Sequence, residues 1–277
     1  MRVIFFGASK FVLPIIEVLN KNFDLALVIT TEKNSSDAVP AYCSQNHIKY
    51  ISVSSSDITT NDELLTMNAS LGVLAYFGIL LKPEVLNLFS KGILNIHPSL
   101  LPKYRGTTPV QTAILNGDAT TGVTLIKLDD KMDHGPIIDQ IEGEIKPHDT
   151  AKTLYERLFN IGSSLLAKNI HSFLDGTINK TPQDEAQATF TKPLTRKSGY
   201  IHIDTLPSKE ILDRMIRAYY PWPGTWAKLR IKNEELRIKL LPMQKLQVEG
   251  KKPVNYKDFL NGYPNQPFLK DFVNLLP

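Results

Sequence analysis

The sequence predicts an α/β fold: a Rossmann-like, mostly parallel sheet with helices on both faces, followed by a small β-rich C-terminal domain. Three observations predict it. Short apolar runs alternate with helical patterns through the first hundred residues, the signature of βαβ units and a sheet covered on both sides. The pattern then turns to two strand-like runs and one long amphipathic helix. Last, 13 Lys/Arg stand against 7 Asp/Glu from Thr205 to Pro277, so that segment carries +6 of a chain whose net charge is +4, leaving −2 for the first 204 residues.

The first strand is "RVIFFG" (Arg2 to Gly7), and the helix after it is "FVLPIIEVLNK". "LALVITT", "IKYISV", "LGVLAYFG" and "GILNIH" supply four more strands, with helices expected around "AVPAYCSQN" and in "NDELLTMNA", the latter capped by Asn61. "TGVTLIKL" and "PIIDQIEGEI" form a hairpin across the acidic loop "DDKMDHG", and a long helix runs from about Thr150 to Leu174. These patterns place a catalytic domain at 1–178, a linker at 179–204 and the basic domain at 205–277. The last domain opens with the helix "SKEILDRMIRAYY", and "KLRIKNEELRIKLL" reads as two of its strands.

Composition narrows the classes. With 277 residues and 42% hydrophobic content the chain suits one large and one small globular domain. The single cysteine, Cys43, excludes an internal disulfide and a thiolate metal cluster. "RVIFFG" closes at Gly7 with no cleavage-site pattern after it. No apolar run reaches the roughly 18 residues of a membrane span, so a cytoplasmic protein is expected. The basic C-terminal segment, with Lys228, Arg230, Lys232, Arg237 and Lys239 alternating along its strands, suits an anionic partner such as nucleic acid or a phosphate-bearing sugar. It suits a solvated surface equally.

Ligands of parallel sheets sit beyond the carboxyl ends of strands, and "AYFG" and "NIHPS" occupy such ends. Asn95 and His97 lie two apart on one strand, so their side chains share a face. An amide NH2 and an imidazole converging on one point can stabilise an oxygen gaining negative charge, and the imidazole can carry a proton near neutral pH. The pair also reads as a strand end with a hydrogen-bonded histidine. Asp129, Asp130 and Asp133 of the acidic loop each offer a carboxylate to orient His97. A metal site would recruit His97, Asp133 and His134, but no ligand-spaced histidine pair supports it. "FFGASKF" has one glycine and no G-K-[ST], so it is no phosphate loop.

Taken in order, "AYFGILLKPEVL", "LNIHPSLLPKYRGTTPVQTAILNGD", "TGVTLIKLDDKMDHGPII" and "RAYYPWPGTW" resemble the folate-dependent formyltransferases, and the similarity runs from "RVIFFGASKFVLPIIEVL" to "LQVEGKKPVNYKDFLNGYP". The resemblance implies formyl transfer from N10-formyltetrahydrofolate, as co-substrate, to a primary amine without a metal. It puts Asn95, His97 and Asp133 on catalytic positions. It puts Phe77, Gly78, Leu80, Leu81 and Asp129 against the folate, and Ser99, Lys103, Tyr104, Arg105 and Gly106 toward the incoming amine. The acceptor it implies is initiator methionyl-tRNA, for translation initiation; a nucleotide-linked amino sugar is the alternative. "TTEKNSSDAVPAYC" lacks the basic loop usual in enzymes that formylate tRNA. About fifty residues follow "PWPGTW", so the OB-like C-terminal domain is expected to be truncated.

Overall fold

The computed structural model describes residues 1–31, 38–54, 62–231, 234–264, 266 and 268–277. Asn61, Lys232 and most of the polar stretch after Thr31 lie outside the described residues. The chain forms two compact units. One comprises Met1–Pro109, Thr121–Glu144 and Tyr155–Thr191; the other comprises Val110–Thr120, Ile145–Leu154 and Lys192–Pro277.

The first unit is built on seven strands: β1 (Arg2–Gly7), β2 (Asp24–Thr31), β3 (Tyr50–Val53), β4 (Leu71–Ala75), β5 (Ile93–His97), β6 (Thr120–Lys127) and β7 (Ile137–Glu144). Their order across the sheet is β3-β2-β1-β4-β5-β6-β7. β1 to β5 pair in parallel, whereas β5 and β6 pair antiparallel with Asn95 opposite Ile126 and His97 opposite Thr124. The central strands are almost continuously apolar because both faces are covered; Val3, Phe5, Phe6, Leu71 and Val73 are fully buried.

The helices of this unit are α1 (Leu13–Asn22), α2 (Ala38–Gln45), α3 (Asp62–Thr66), α4 (Pro83–Leu86) and, from Tyr155 on, α6 (Ala151–Leu174); α5 (Pro109–Asn116) belongs to the second unit from Val110 on. α1 buries Ile15, Ile16 and Leu19, and α2 buries Cys43. α6 approaches β5 at Gly162, where an added Cβ would come 2.6 Å from Ile96 Cγ2. Because neighbouring side chains on a strand point to opposite faces, this contact at Ile96 leaves Asn95 and His97 on the other side of the sheet.

In the second unit, α7 (Lys209–Ala218) is capped by the Ser208 side chain. An open antiparallel sheet follows, with β8 (Thr225–Ile231), β9 (Glu234–Leu241), β10 (Lys245–Val248) and β11 (Val254–Asn255) in the order β11-β10-β9-β8. α8 (Tyr256–Gly262), capped by Asn255, and α9 (Phe268–Asn274) complete it. Leu212, Ile216, Leu229, Ile238, Leu240, Leu246, Phe259 and Leu269 form its core. Lys228, Arg230 and Lys239 are exposed on the alternate positions, and Arg237 stacks over Trp226 at 4.1 Å. The small domain is therefore β-rich as expected, with four strands where the sequence showed two. No helix among the described residues is long and apolar enough to cross a membrane.

Candidate active site

A cavity of about 520 Å³ opens between the segment after β4, the polar face of β5 and the loop joining β6 to β7. Each wall follows from local sequence. The strand pleat carries Asn95 and His97 to one face, where they are 4% and 5% exposed. The segment after β4 turns through Tyr76 and Gly78, both with positive φ, and brings Phe77, Gly78, Leu80 and Leu81 to the cavity. Leu80 is 66% exposed and Met132 is 48% exposed, so apolar surface is left at the mouth. Volume and lining suit a flat, largely apolar ligand held by a few polar groups.

The loop from Leu128 to Pro136 folds over the β5 face. Gly135 makes this possible: a Cβ there would lie 1.8 Å from the Lys127 carbonyl oxygen. Asp133 sits at φ 49°, and its carboxylate is held on both oxygens. Asn95 Nδ2 donates to Oδ1 at 3.1 Å and the Gly106 N–H donates to Oδ2 at 2.8 Å. His97 Nδ1 lies 3.5 Å from Asp133 Oδ1. On the far side of the ring, His97 Nε2 is 2.9 Å from the Tyr104 carbonyl oxygen. A carbonyl can only accept, so Nε2 carries the hydrogen and Nδ1 is the nitrogen turned toward the carboxylate and the cavity. Asn95 retains a second amide N–H, having given one to Asp133.

Asp129 also lines the cavity, but its carboxylate pairs with His134 Nδ1 at 2.5 Å. His134 therefore faces Asp129 and Glu185, away from the His97–Asp133 pair. Among the described residues no group of three or more His, Cys, Asp or Glu side chains is arranged to hold a metal.

The segment expected to face the amine is mostly turned inward. Gly106 lines the cavity, whereas Ser99, Tyr104 and Arg105 are 0%, 5% and 2% exposed. Ser99 Oγ donates to the Lys103 carbonyl at 2.6 Å, and Lys103 Nζ lies over the Tyr104 ring at 4.7 Å. The Arg105 guanidinium bonds Gln183 and Glu185. These residues shape the loop that carries Gly106. An arginine beside a site reads as a substrate contact; its acceptors, 78 and 80 positions away, are invisible to local pattern.

The sequence profile of the formyl transferase family matches residues 1–170. The chain belongs to the formyl transferase family. Among curated members, the methionyl-tRNA formyltransferase of Roseiflexus sp. (strain RS-1) is 48% identical over 162 residues, which is 58% of this chain and 49% of that relative. The match thus spans about half of the relative's length. The methionyl-tRNA formyltransferase of Lactobacillus acidophilus is 31% identical, covering 94% of this chain and 95% of that one. Among solved structures, the N-formyltransferase of Helicobacter canadensis, in complex with folinic acid and dTDP-3-aminofucose, superposes with a TM-score of 0.64. It is 22% identical and covers 89% of this chain and 94% of its own, which establishes a shared fold.

Sequence reasoning missed one part of the site, the stretch after β7 and α6. Gln183, Glu185, Thr189 and Thr191 all bond to the loops that hold the catalytic candidates. The Thr189 hydroxyl accepts from Tyr104 N at 2.8 Å, its carbonyl accepts from Arg105 N at 2.8 Å, and Thr191 N donates to the Arg105 carbonyl at 2.8 Å. The only local signal was a polar composition, which reads as linker. Glu185 is held below its ordinary carboxyl pKa of 4.5, chiefly by hydrogen bonds from Arg105, with His134 and Lys131 adding attraction.

Proposed function

We propose that this formyl transferase moves a formyl group from N10-formyltetrahydrofolate to the free amino group of initiator methionyl-tRNA, giving formylmethionyl-tRNA for translation initiation. The observation that carries the chemistry is the convergence of Asn95, His97 and Asp133 on one wall of the cavity. The acceptor rests on the methionyl-tRNA formyltransferases of Roseiflexus and Lactobacillus acidophilus among its relatives.

The fit of the donor rests on the cavity's walls. Phe77, Leu80 and Leu81, with the edge of Gly78, offer an apolar slot for a flat pteridine, and Asp129 stands at its polar end. The donor supplies the formyl group; one C–N bond forms to the acceptor nitrogen, the bond from the formyl carbon to donor N10 breaks, and the proton lost by the amine ends on N10, so that tetrahydrofolate leaves.

This chain's residues then have distinct tasks. The second N–H of Asn95 is aimed to stabilise the formyl oxygen as it gains negative charge, a contact stronger in the transition state than in the ground state. His97 works through Nδ1, since Nε2 is committed to the Tyr104 carbonyl; at Nδ1 it can exchange a proton within reach of the same oxygen. Asp133 holds Asn95 directly and faces Nδ1 of the imidazole, which fixes the ring's orientation. The apolar side chains of Leu80 and Met132 stand at the mouth, where a bound donor would cover them and displace water from these groups.

The test is a side-by-side assay with formyltetrahydrofolate as donor and either methionyl-tRNA or nucleotide-linked amino sugars as acceptor. Formyl transfer to methionyl-tRNA alone is expected. Preferential transfer to an amino sugar would replace the tRNA acceptor and leave the catalytic assignment standing.

A further inference from the structure

Arg105 stands between the two backbone groups that fix the catalytic pair. The carbonyl before it, on Tyr104, accepts from His97 Nε2, and the N–H after it, on Gly106, donates to Asp133 Oδ2. Its side chain is spent inside the fold: Nε and Nη2 donate to Gln183 Oε1 at 3.0 and 2.8 Å. The same guanidinium forks onto the Glu185 carboxylate at 3.0 and 2.6 Å.

Gln183 reaches in the other direction as well. Its Nε2 donates to the carbonyls of Asp133 and Gly135, both at 2.8 Å. One amide therefore ties the Arg105 loop through its oxygen and the Asp133 turn through its nitrogen. Tyr104 and Asp133 have φ 65° and 49°. Side chains other than glycine rarely hold such conformations unless the surroundings over-determine them. The Gln183 bonds are part of that over-determination. Glu185 secures the arginine and touches the Asp133 turn only through the His134 side chain at 3.4 Å, whereas Gln183 bonds the turn's backbone; the Glu185 side chain is 59% exposed.

We infer that Gln183 is a positioning residue for formyl transfer, locking the loop that holds His97 and the turn that carries Asp133 to one another. The inference rests on the reading that His97 and Asp133 perform the transfer. Gln183 does not line the cavity, so it acts through them. An amide is required here, because one end must accept from a cation while the other donates to two carbonyls. A carboxylate would keep the first contact and set an oxygen against both carbonyls.

The decisive variant is Gln183→Glu in the full chain, measured for kcat, both KM values and thermal unfolding. We expect kcat to fall on the order of tenfold to a hundredfold, the cost of small misplacements of catalytic groups. Both KM values should stay within about twofold and the protein should remain folded at the assay temperature. Introduced into Asp133→Asn, the same change should cost less than about twofold more, because residues acting as a unit are not additive.

Wild-type kcat in Gln183→Glu overturns the inference. So does a full, multiplicative loss in the Asp133→Asn background, or unfolding at the assay temperature, which would make Gln183 a requirement of the fold alone. Inactive His97→Ala beside fully active Gln183→Glu would remove this inference and leave the proposed function intact. Fully active His97→Ala would remove both.

Discussion

His97 Nδ1 faces Asp133 Oδ1 at 3.5 Å, a strand residue meeting a loop residue across the floor of one cavity. The separation is longer than a strong hydrogen bond, so the imidazole nitrogen is oriented by the carboxylate without being consumed by it.

Removing either partner should therefore disable transfer without unfolding the protein. His97→Ala takes away the proton-exchanging nitrogen, and Asp133→Asn takes away the charge behind it. Each is expected to lower kcat on the order of a hundredfold or more with methionyl-tRNA as acceptor. Turnover within a few-fold of wild type in either variant would rule out the assigned roles.

The turn that delivers Asp133 depends on a residue with no side chain. Gly135→Ala would put a Cβ 1.8 Å from the Lys127 carbonyl oxygen, so backbone must shift. A destabilisation of about 1–3 kcal/mol is expected, with a loss of kcat larger than that stability change would cause. Denaturant unfolding beside steady-state kinetics separates the two, and an unchanged kcat would mean that the turn tolerates the shift.

Acid should loosen the segment that braces the site. Arg105 holds the Glu185 carboxyl below its ordinary 4.5, aided by His134 and Lys131. A depressed carboxyl contributes stability that is present above its unfolded pKa and lost as pH falls through the folded one. Thermal midpoints followed from about pH 6 down to about pH 3 should fall less steeply in Glu185→Gln than in wild type. Parallel curves would show that the pair adds nothing to stability.

The basic face of the second unit predicts a salt signature. In the β8–β9 register Lys228 pairs with Arg237 and Trp226 with Lys239, so alternate positions place cations and an aromatic ring on one face. If this face meets tRNA phosphates, Lys228→Ala with Lys239→Ala should reduce the slope of log affinity against log salt by about two. An unaltered slope would send the search for the tRNA-binding surface elsewhere.

Much of this was legible before any coordinates. Apolar runs mark β1, β4 and β5 because a strand buried on both faces is built mostly from apolar residues. Asn95 and His97 are legible as a pair because the strand period is two. Asp133 is different: three aspartates share the loop, and residue chemistry alone cannot choose among them, so the choice came from family resemblance. The Arg105 cluster was illegible because its acceptors follow a 24-residue helix and carry no periodicity. β10 and β11, of four and two residues, are too short to set a pattern.

The antiparallel register between β5 and β6 also gives the site a parity. Asn95 and His97 hold the odd positions whose side chains meet Asp133, and Ile96 holds the even one packed against α6 at Gly162. Inserting or deleting one residue upstream within β5 would exchange the two sets, presenting aliphatic carbon to the substrate and an imidazole to the core. The chain can vary the length of its loops gradually, but this strand can change only in steps of two.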